Sequence, residues 1–130
     1  MSPTRNYTDL TPILQKFWLA LRPWYSNQYP GRSLFITCAY RSVEEQQAIF
    51  AKNRPGRIIT KCDGVTSLSK HNTLPSRAFD VAVTLKGVVR WEDEYYKPLG
   101  GAIKALGYEG KIRWGGWFSS FKDYPHLEEI

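Results

Sequence analysis

The residues best suited to chemistry in this sequence are its two histidines, because each has a carboxylate nearby in the chain. His71 precedes Asp80 by nine residues, and His126 follows Asp123 by three. Asp80 stands within the apolar segment AFDVA, where an unpaired buried carboxylate would be costly and a cation would satisfy it. Two histidines and one carboxylate, with a fourth position open to water, form a recognised catalytic zinc set. The pattern therefore indicates a metal site made by His71, Asp80 and His126.

Zinc in such a site would support hydrolysis at a carbonyl group. The metal lowers the pKa of a bound water from about 15.7 to about 7, and a nearby carboxylate takes the proton of that water. Asp123 is the candidate for this base, because the turn through Pro125 can bring it beside a metal held by His126. Spacing alone leaves a second interpretation open, in which the histidines are structural and Asp123 caps a turn. Glu128 reads equally as a partner of the His126 ring or as an exposed strand residue.

Three segments that must help to position these residues have the character of helices, and they are residues 12–22, 43–52 and 91–106. The first opens with Thr11 as its cap and Pro12 at its first position, and it is predicted to end at Pro23. The second opens with a capping box formed by Ser42 and Glu45. The third is weakened by two adjacent glycines in its interior.

Four short apolar segments read as strands, and they are residues 33–39, 78–84, 111–114 and 126–130. Between the first two lies a long polar stretch, residues 54–77, and so long a loop in a compact domain is often functional. The prediction is a single α+β domain over residues 1–130, in which a small antiparallel sheet packs with helices. No internal repeat or second domain is expected.

The composition narrows the class of protein. A net charge of +6 favours polyanions in general, but the basic residues form no run of five or more, which argues against specific nucleic-acid binding. No stretch approaches the ~20 apolar residues of a membrane span, and the N-terminus lacks the pattern of a secretory signal. Cys38 and Cys62 belong to no CxxC pair; Cys38 reads as a core residue, and a disulfide between the two is left open. A monomer is expected.

The order of several motifs resembles the M15 peptidases, which include VanY-like D-alanyl-D-alanine carboxypeptidases and phage L-alanyl-D-glutamate endopeptidases. These motifs are Tyr40-Arg41-Ser42 with Glu45-Gln46, Pro55-Gly56 with Ile59-Thr60, Ser69-x-His71 with Ala78-x-Asp80, and Trp114-Gly115-Gly116 with Asp123-x-Pro125-His126. Two features depart from the family pattern. The interval from His71 to Asp80 is longer than usual and lacks a central glycine, so residues 72–77 are expected to form a longer excursion. Leu127 replaces a common aromatic residue.

The resemblance implies a zinc site with the three ligands named above and with Asp123 as its base. It also implies that Arg41 binds or polarises the substrate, a role that suits the fit of a guanidinium to a carboxylate. Ser69 is implied to lie in the site and to bind substrate. The simpler alternatives stay open here: Arg41 could be a solvated or salt-bridged residue, and Ser69 could only brace its loop.

The resemblance further implies a DD-peptidase/Hedgehog-like zinc peptidase fold, a catalytic domain without a separate wall-binding domain, and the peptidoglycan stem peptide as substrate. The ending WGGWFSSFKDYPHLE is most similar to phage endolysins that cut the L-alanyl-D-glutamate bond. Such enzymes stay in the host bacterial cytoplasm until a holin opens the membrane. The alternatives are a D-alanyl-D-alanine carboxypeptidase of the same family and a non-catalytic, basic, tryptophan-rich binding module. The module explains the charge but not why both histidines lie near carboxylates.

Overall fold

The computed structural model describes residues 3–52, 69–119 and 121–130. Its regular elements are helices α1 (Pro12–Gln28), α2 (Val43–Phe50) and α3 (Pro98–Ala105), and strands β1 (Arg32–Cys38), β2 (Ala78–Leu85), β3 (Val88–Arg90), β4 (Ile112–Trp114) and β5 (His126–Glu129). The α+β prediction is confirmed. Within these described ranges, no helix is both long and apolar enough to cross a membrane. The predictions that concern residues 53–68, including the pairing of Cys62, lie outside the described residues.

The strands form one antiparallel sheet in the order β1-β2-β5-β4. The same side of β2 pairs with β5 at its beginning and with β3 at its end. Strand β3 was not predicted from the sequence. Lys86 and Gly87 connect it to β2 with φ angles of 50° and 83°, and positive φ at both positions is what a two-residue hairpin turn requires. Lysine rarely adopts this conformation, so the sequence carried a weak signal for the hairpin.

Helix α1 continues to Gln28, so the prediction that it ends at Pro23 is wrong. A proline inside a helix costs about 3 kcal/mol. The following turn buries Tyr25 completely, and the Tyr25 hydroxyl donates a hydrogen bond of 2.6 Å to the carbonyl of Tyr95. Burial of a large side chain contributes roughly 1.5–3 kcal/mol, which together with this hydrogen bond offsets the cost. Thr11 occupies the N-cap position as predicted, but its side chain makes no capping hydrogen bond.

The third helical segment is divided into two pieces. A short 3-10 turn, Asp93–Tyr95, precedes α3, and Pro98 takes the first position of that helix. Gly100 faces the indole of Trp114 so closely that a Cβ there would lie 2.8 Å from the ring. The glycine that weakens the helix therefore allows α3 to approach the sheet, where it buries Leu99 and Ile103.

One face of the sheet packs on α1 and α3, and the other carries the polar residues. On β2 the residues Phe79 and Val81 belong to the hydrophobic core, so Asp80 between them points to the opposite face. On β5, Leu127 belongs to the core, and His126 pairs directly with Asp80 across the two strands. The alternation of strand residues thus brings a histidine and a carboxylate to the same spot.

A β-bulge adds a third group to this polar face. The register of β1 against β2 shifts between Ile36, which pairs with Val81, and Cys38, which pairs with Asp80. A bulge inserts one residue and re-aims the side chains that follow it. Cys38 consequently lies beside Asp80, and the chain after β1 runs past the polar face rather than away from it.

Candidate active site

His71 reaches the site from a short 3-10 turn, Lys70–Asn72, rather than from a strand. Ser69 caps this turn, since its hydroxyl accepts a hydrogen bond of 3.2 Å from the amide of His71. The amide of Arg41 donates to the carbonyl of His71 at 2.8 Å, and the Asn72 side chain donates to the carbonyl of Arg41 at 2.8 Å. These bonds tie the His71 turn to the segment that follows β1.

The predicted excursion between His71 and Asp80 is present, and hydrogen bonds hold it to the N-terminal segment. The amide of Ser76 donates to the carbonyl of Asp9 at 2.7 Å, and the amide of Thr11 donates to the carbonyl of Ser76 at 3.0 Å. The buried Ser76 hydroxyl also bonds to main-chain oxygens at 2.7 Å. These hydrogen bonds of Ser76 anchor the segment between His71 and Asp80 against the entry to α1.

The ring of His71 has one nitrogen engaged and one free. Its Nδ1 donates to the carbonyl of Ala39 at 2.9 Å and lies 3.5 Å from the sulfur of Cys38. Its Nε2 is buried and has no hydrogen-bond partner, although Asp80 Oδ1 lies 3.3 Å away. A buried nitrogen without a partner needs an explanation. Because Nδ1 donates to Ala39, the neutral ring has its lone pair on Nε2, the nitrogen that faces Asp80 and that a metal could bind.

Asp80 lies at the centre of the site. Its Oδ1 is 2.9 Å from Nδ1 of His126, and its Oδ2 is 3.7 Å from Nη2 of Arg41. Burial opposes the charge of this carboxylate, but the nearby histidines outweigh burial and hold the pKa of Asp80 well below its usual range. Asp80 is therefore a permanent negative charge that faces both predicted histidine ligands.

The two histidines respond to that charge in the same way. Burial alone would lower the pKa of His71, but the nearby negative charge of Asp80 raises it to about 10. Burial likewise opposes protonation of His126, and its hydrogen bonds to Asp80 and Glu128 raise its pKa above the usual value. The site therefore attracts positive charge strongly. A divalent cation bound here would compete with protons for the same ring nitrogens.

Asp123 lies at the rim of this cluster. Its amide donates to the carbonyl of Gly115 at 3.0 Å, and its carbonyl accepts from the amide of His126 at 3.1 Å. Its Oδ2 is 3.8 Å from Nδ1 of His126, and its side chain is 38% exposed. Burial and then the charge of Asp80 raise the pKa of Asp123. A carboxyl group with a raised pKa beside open solvent is suited to exchanging protons.

Gly115 makes this arrangement of Asp123 possible. A Cβ at position 115 would lie 2.1 Å from the carbonyl oxygen of Asp123 and 2.9 Å from Cβ of His126. The neighbouring Trp114 is largely buried, and its indole nitrogen donates to the carbonyl of Tyr124 at 2.7 Å. The Trp114-Gly115 motif thus fixes the turn that carries Asp123 and His126, whereas Trp117 is half exposed at the edge.

The part of the chain that the structure describes contains two groups of three side chains that could ligate a metal, and Asp80 belongs to both. Within each group, the ligating atoms all lie within 4.8 Å of one another. One set is Asp80, Asp123 and His126; the other is Cys38, His71 and Asp80. The rings of His71 and His126 are 5.2 Å apart. Cys38 lies at Nδ1 of His71, which is already bonded to a carbonyl, whereas the free Nε2 faces Asp80. The residues present fit a cation bound between the two histidines and Asp80.

The remaining predicted residues also lie near this cluster. Arg41 is mostly buried; its Nη1 donates to the Gln46 side chain at 2.9 Å, and its Nη2 approaches Asp80 and the sulfur of Cys38. Ser69 makes the hydrogen bond that braces the His71 turn. The roles of Arg41 and Ser69 in binding a substrate stay predictions.

Glu128 is the most important residue whose role the sequence left open. It is buried, its Oε1 is 2.8 Å from Nε2 of His126, and its Oε2 is 2.8 Å from Arg113 and 3.1 Å from Lys70. These contacts hold the pKa of Glu128 at about 2, against the opposing effect of burial. Strand alternation gave a usable signal, because residues 126 and 128 share a face. No comparable signal pointed to Arg113.

An α+β domain that directs two histidines and two carboxylates at one spot on its sheet has the arrangement of a metallohydrolase. A family model described as D-alanyl-D-alanine carboxypeptidase matches residues 63–129. The peptidoglycan L-alanyl-D-glutamate endopeptidase CwlK of Bacillus subtilis (strain 168) is 33% identical over 95% of this chain and 75% of its own length. The crystal structure of the Serratia marcescens L-Ala D-Glu endopeptidase ChiX superposes with a TM-score of 0.67 and 25% identity, covering 96% of this chain and 84% of that one.

The chain belongs to the M15 family of metallopeptidases. The resemblance predicted from the motifs is confirmed, and so is the peptidase class. The comparison with ChiX also confirms the predicted fold.

Proposed function

We propose that this chain is a zinc peptidase that hydrolyses the L-alanyl-D-glutamate bond of the peptidoglycan stem peptide. The observation that carries the metal-dependent chemistry is the buried Nε2 of His71, which has no hydrogen-bond partner and lies 3.3 Å from Asp80. Together with Nδ1 of His126 it would hold zinc, because imidazole nitrogens and a carboxylate are the ligands of catalytic zinc sites. When bound, zinc supplies an activated water and a Lewis acid.

Residues of this chain would carry out proton transfer and substrate binding. Asp123, at the solvent side of the cluster and with a raised pKa, takes a proton from the attacking water and returns it to the leaving amine. Arg41 lies beside Asp80 with its Nη2 at 3.7 Å and binds a carbonyl or carboxylate of the stem peptide. Ser69, at the start of the His71 turn, contributes a second polar contact to the substrate.

The choice of bond rests on the two relatives, which are both described as endopeptidases of the L-alanyl-D-glutamate bond. The description of the matching family model favours a second candidate, a D-alanyl-D-alanine carboxypeptidase. A carboxypeptidase must capture a free terminal carboxylate, whereas an endopeptidase needs a groove open on both sides of the bond.

Mass spectrometry of digested sacculi separates these two candidates. We expect new glycan-linked fragments that end in L-alanine, together with free peptides that begin with D-glutamate. Zinc-free protein prepared with a chelator serves as the control and should release neither. Loss of only a terminal D-alanine, with the L-alanyl-D-glutamate bond intact, would contradict the endopeptidase assignment and support the carboxypeptidase.

The resemblance of the ending to phage enzymes supports a role as an endolysin that acts as a monomer. In that role the protein stays in the host bacterial cytoplasm until the membrane is opened, and then reaches the wall. Its net charge of +6 would favour association with an anionic wall, an attraction that salt screens over about 8 Å at physiological ionic strength.

Gly115→Ala is expected to lower peptidoglycan hydrolysis by about 10²-fold, because a displacement near 1 Å of catalytic groups costs that much. The new Cβ would overlap the Asp123 carbonyl and press on His126, so the turn that carries both must move. Gly101→Ala is the matched control, since nothing lies within 4 Å of a Cβ at that helical position. Steady-state hydrolysis of sacculi measures both variants. Equal activity of the two would show that the close approach at Gly115 has no role in catalysis.

A further inference from the structure

We propose that Glu128, held by Lys70 and Arg113, is a positioning residue that orients the His126 ring, with Nε2 as the hydrogen-bond donor and Nδ1 facing the metal. This inference rests on the proposed zinc site. Glu128 is 7% exposed, and each of its carboxylate oxygens has a different task. Oε1 is 2.8 Å from Nε2 of His126, while Oε2 binds Arg113 at 2.8 Å and Lys70 at 3.1 Å.

The contact with His126 selects a tautomer. A carboxylate is only an acceptor, so Glu128 requires a proton on Nε2 at 2.8 Å, and in the metal-free site Asp80 requires one on Nδ1 at 2.9 Å. A cation between Asp80 and Nδ1 would replace the second proton, and the ring would then keep its one proton on Nε2, where Glu128 accepts it. Because a neutral ring exposes only one lone pair, the choice made by Glu128 decides whether His126 can bind a cation at the site.

Lys70 and Arg113 fix the orientation of the Glu128 carboxylate, because both contact its Oε2 atom. Lys70 also donates to the carbonyl of Glu129, and it precedes His71 directly in the chain. Arg113 comes from β4, which pairs with β5 through Glu128 itself. The ion pairs therefore connect the turn that carries His71 with the strand that carries His126. They also hold Oε2 away from the histidine ring, so that Oε1 alone faces Nε2.

This arrangement makes an unusual prediction for the isosteric Glu128→Gln. The amide oxygen should turn toward Lys70 and Arg113, because an amide NH₂ facing two cations has no acceptor. The NH₂ group must then face Nε2 of His126 and donate to it. The ring proton moves to Nδ1, where it bonds to Asp80 and blocks the metal. An alanine at position 128 leaves the ring free to choose either tautomer, so the isosteric change should be the more damaging one.

The test measures zinc affinity by chelator competition for wild type, Glu128→Gln and Glu128→Ala. Loss of a partner of a ligating histidine costs about 10–100-fold in metal affinity. We expect Glu128→Gln near the upper end of that range and Glu128→Ala near the lower end. Adding Lys70→Met and Arg113→Met to Glu128→Gln frees the amide to turn, so the triple variant should recover most of the lost affinity. Glu129→Gln, on the opposite face of β5, is the control and should bind zinc like wild type.

A second measurement reads the tautomer directly. Nitrogen-15 NMR of zinc-loaded wild type should show the His126 proton on Nε2, and zinc-free Glu128→Gln above the pKa of the ring should show it on Nδ1. Circular dichroism establishes that each variant is folded. Equal zinc affinities for wild type and Glu128→Gln, or no recovery in the triple variant, would overturn the positioning role while leaving the zinc site intact. Absence of zinc binding in wild type would instead overturn the proposed function, and this inference with it.

Discussion

Asp123→Ala should lower kcat for hydrolysis of the stem peptide by about 10²- to 10⁴-fold and leave the zinc content unchanged. The variant removes the carboxylate at the rim, whose Oδ2 is 3.8 Å from Nδ1 of His126, but none of the three proposed ligands. Burial and the charge of Asp80 raise the pKa of Asp123, which suits a group that accepts and returns a proton. Asp123→Asn is the matched variant, because it keeps the shape and removes the base.

Near wild-type kcat in both Asp123 variants would contradict its role as the base. Glu128 is the next carboxylate in sequence, but it is buried and bonded to His126, Lys70 and Arg113. It could not reach a substrate without breaking those contacts. Loss of zinc from Asp123→Ala would also contradict the assignment, because it would make Asp123 a ligand rather than a base.

Asp80→Asn is expected to abolish both zinc binding and hydrolysis. Asp80 is the only residue common to both sets of ligating atoms in the described ranges, and it holds the charge that both histidines face. Without it, two buried imidazoles whose pKa values are raised by that charge lose their partner. Breaking a buried ion pair costs about 3–5 kcal/mol, so a lower melting temperature is expected as well.

Two measurements test the Asp80→Asn prediction. Elemental mass spectrometry gives the zinc content of the purified variant, and hydrolysis of sacculi gives its activity. Asp93→Asn serves as the control, because Asp93 is an exposed residue of the short 3-10 turn before α3 and is not one of the proposed ligands. A folded Asp80→Asn protein that retains zinc and activity would contradict the proposed ligand set. If the variant does not fold, chelation of wild type provides the second test: activity should disappear and return when zinc is added.

Alternation along two strands made the centre of the site predictable. Because Phe79, Val81 and Leu127 face the core, strand alternation places Asp80 and His126 on the opposite face of the sheet. The antiparallel pairing of β2 with β5 then brings the two residues together. His71 was predictable from its spacing to Asp80 and from its place in the motif order, but not from periodicity, because a 3-10 turn after a long loop carries no periodic pattern.

Other features depend on tertiary contacts that a single sequence does not reveal. The bulge before Cys38 is a shift in the register of β1 against β2, and no local residue pattern predicts it. The helix passes through Pro23 because the turn beyond it buries Tyr25, so packing overrides a local signal. The ion pairs of Glu128 join residues from a turn and from β4 and could not be read from spacing.

Anomalous diffraction at the zinc absorption edge, from a crystal of the zinc-loaded protein, would locate the metal directly. We expect one strong peak between Nε2 of His71, the Asp80 carboxylate and Nδ1 of His126, with Asp123 beside it but not bound. A peak at the sulfur of Cys38, or no peak near Asp80, would contradict the proposed zinc site.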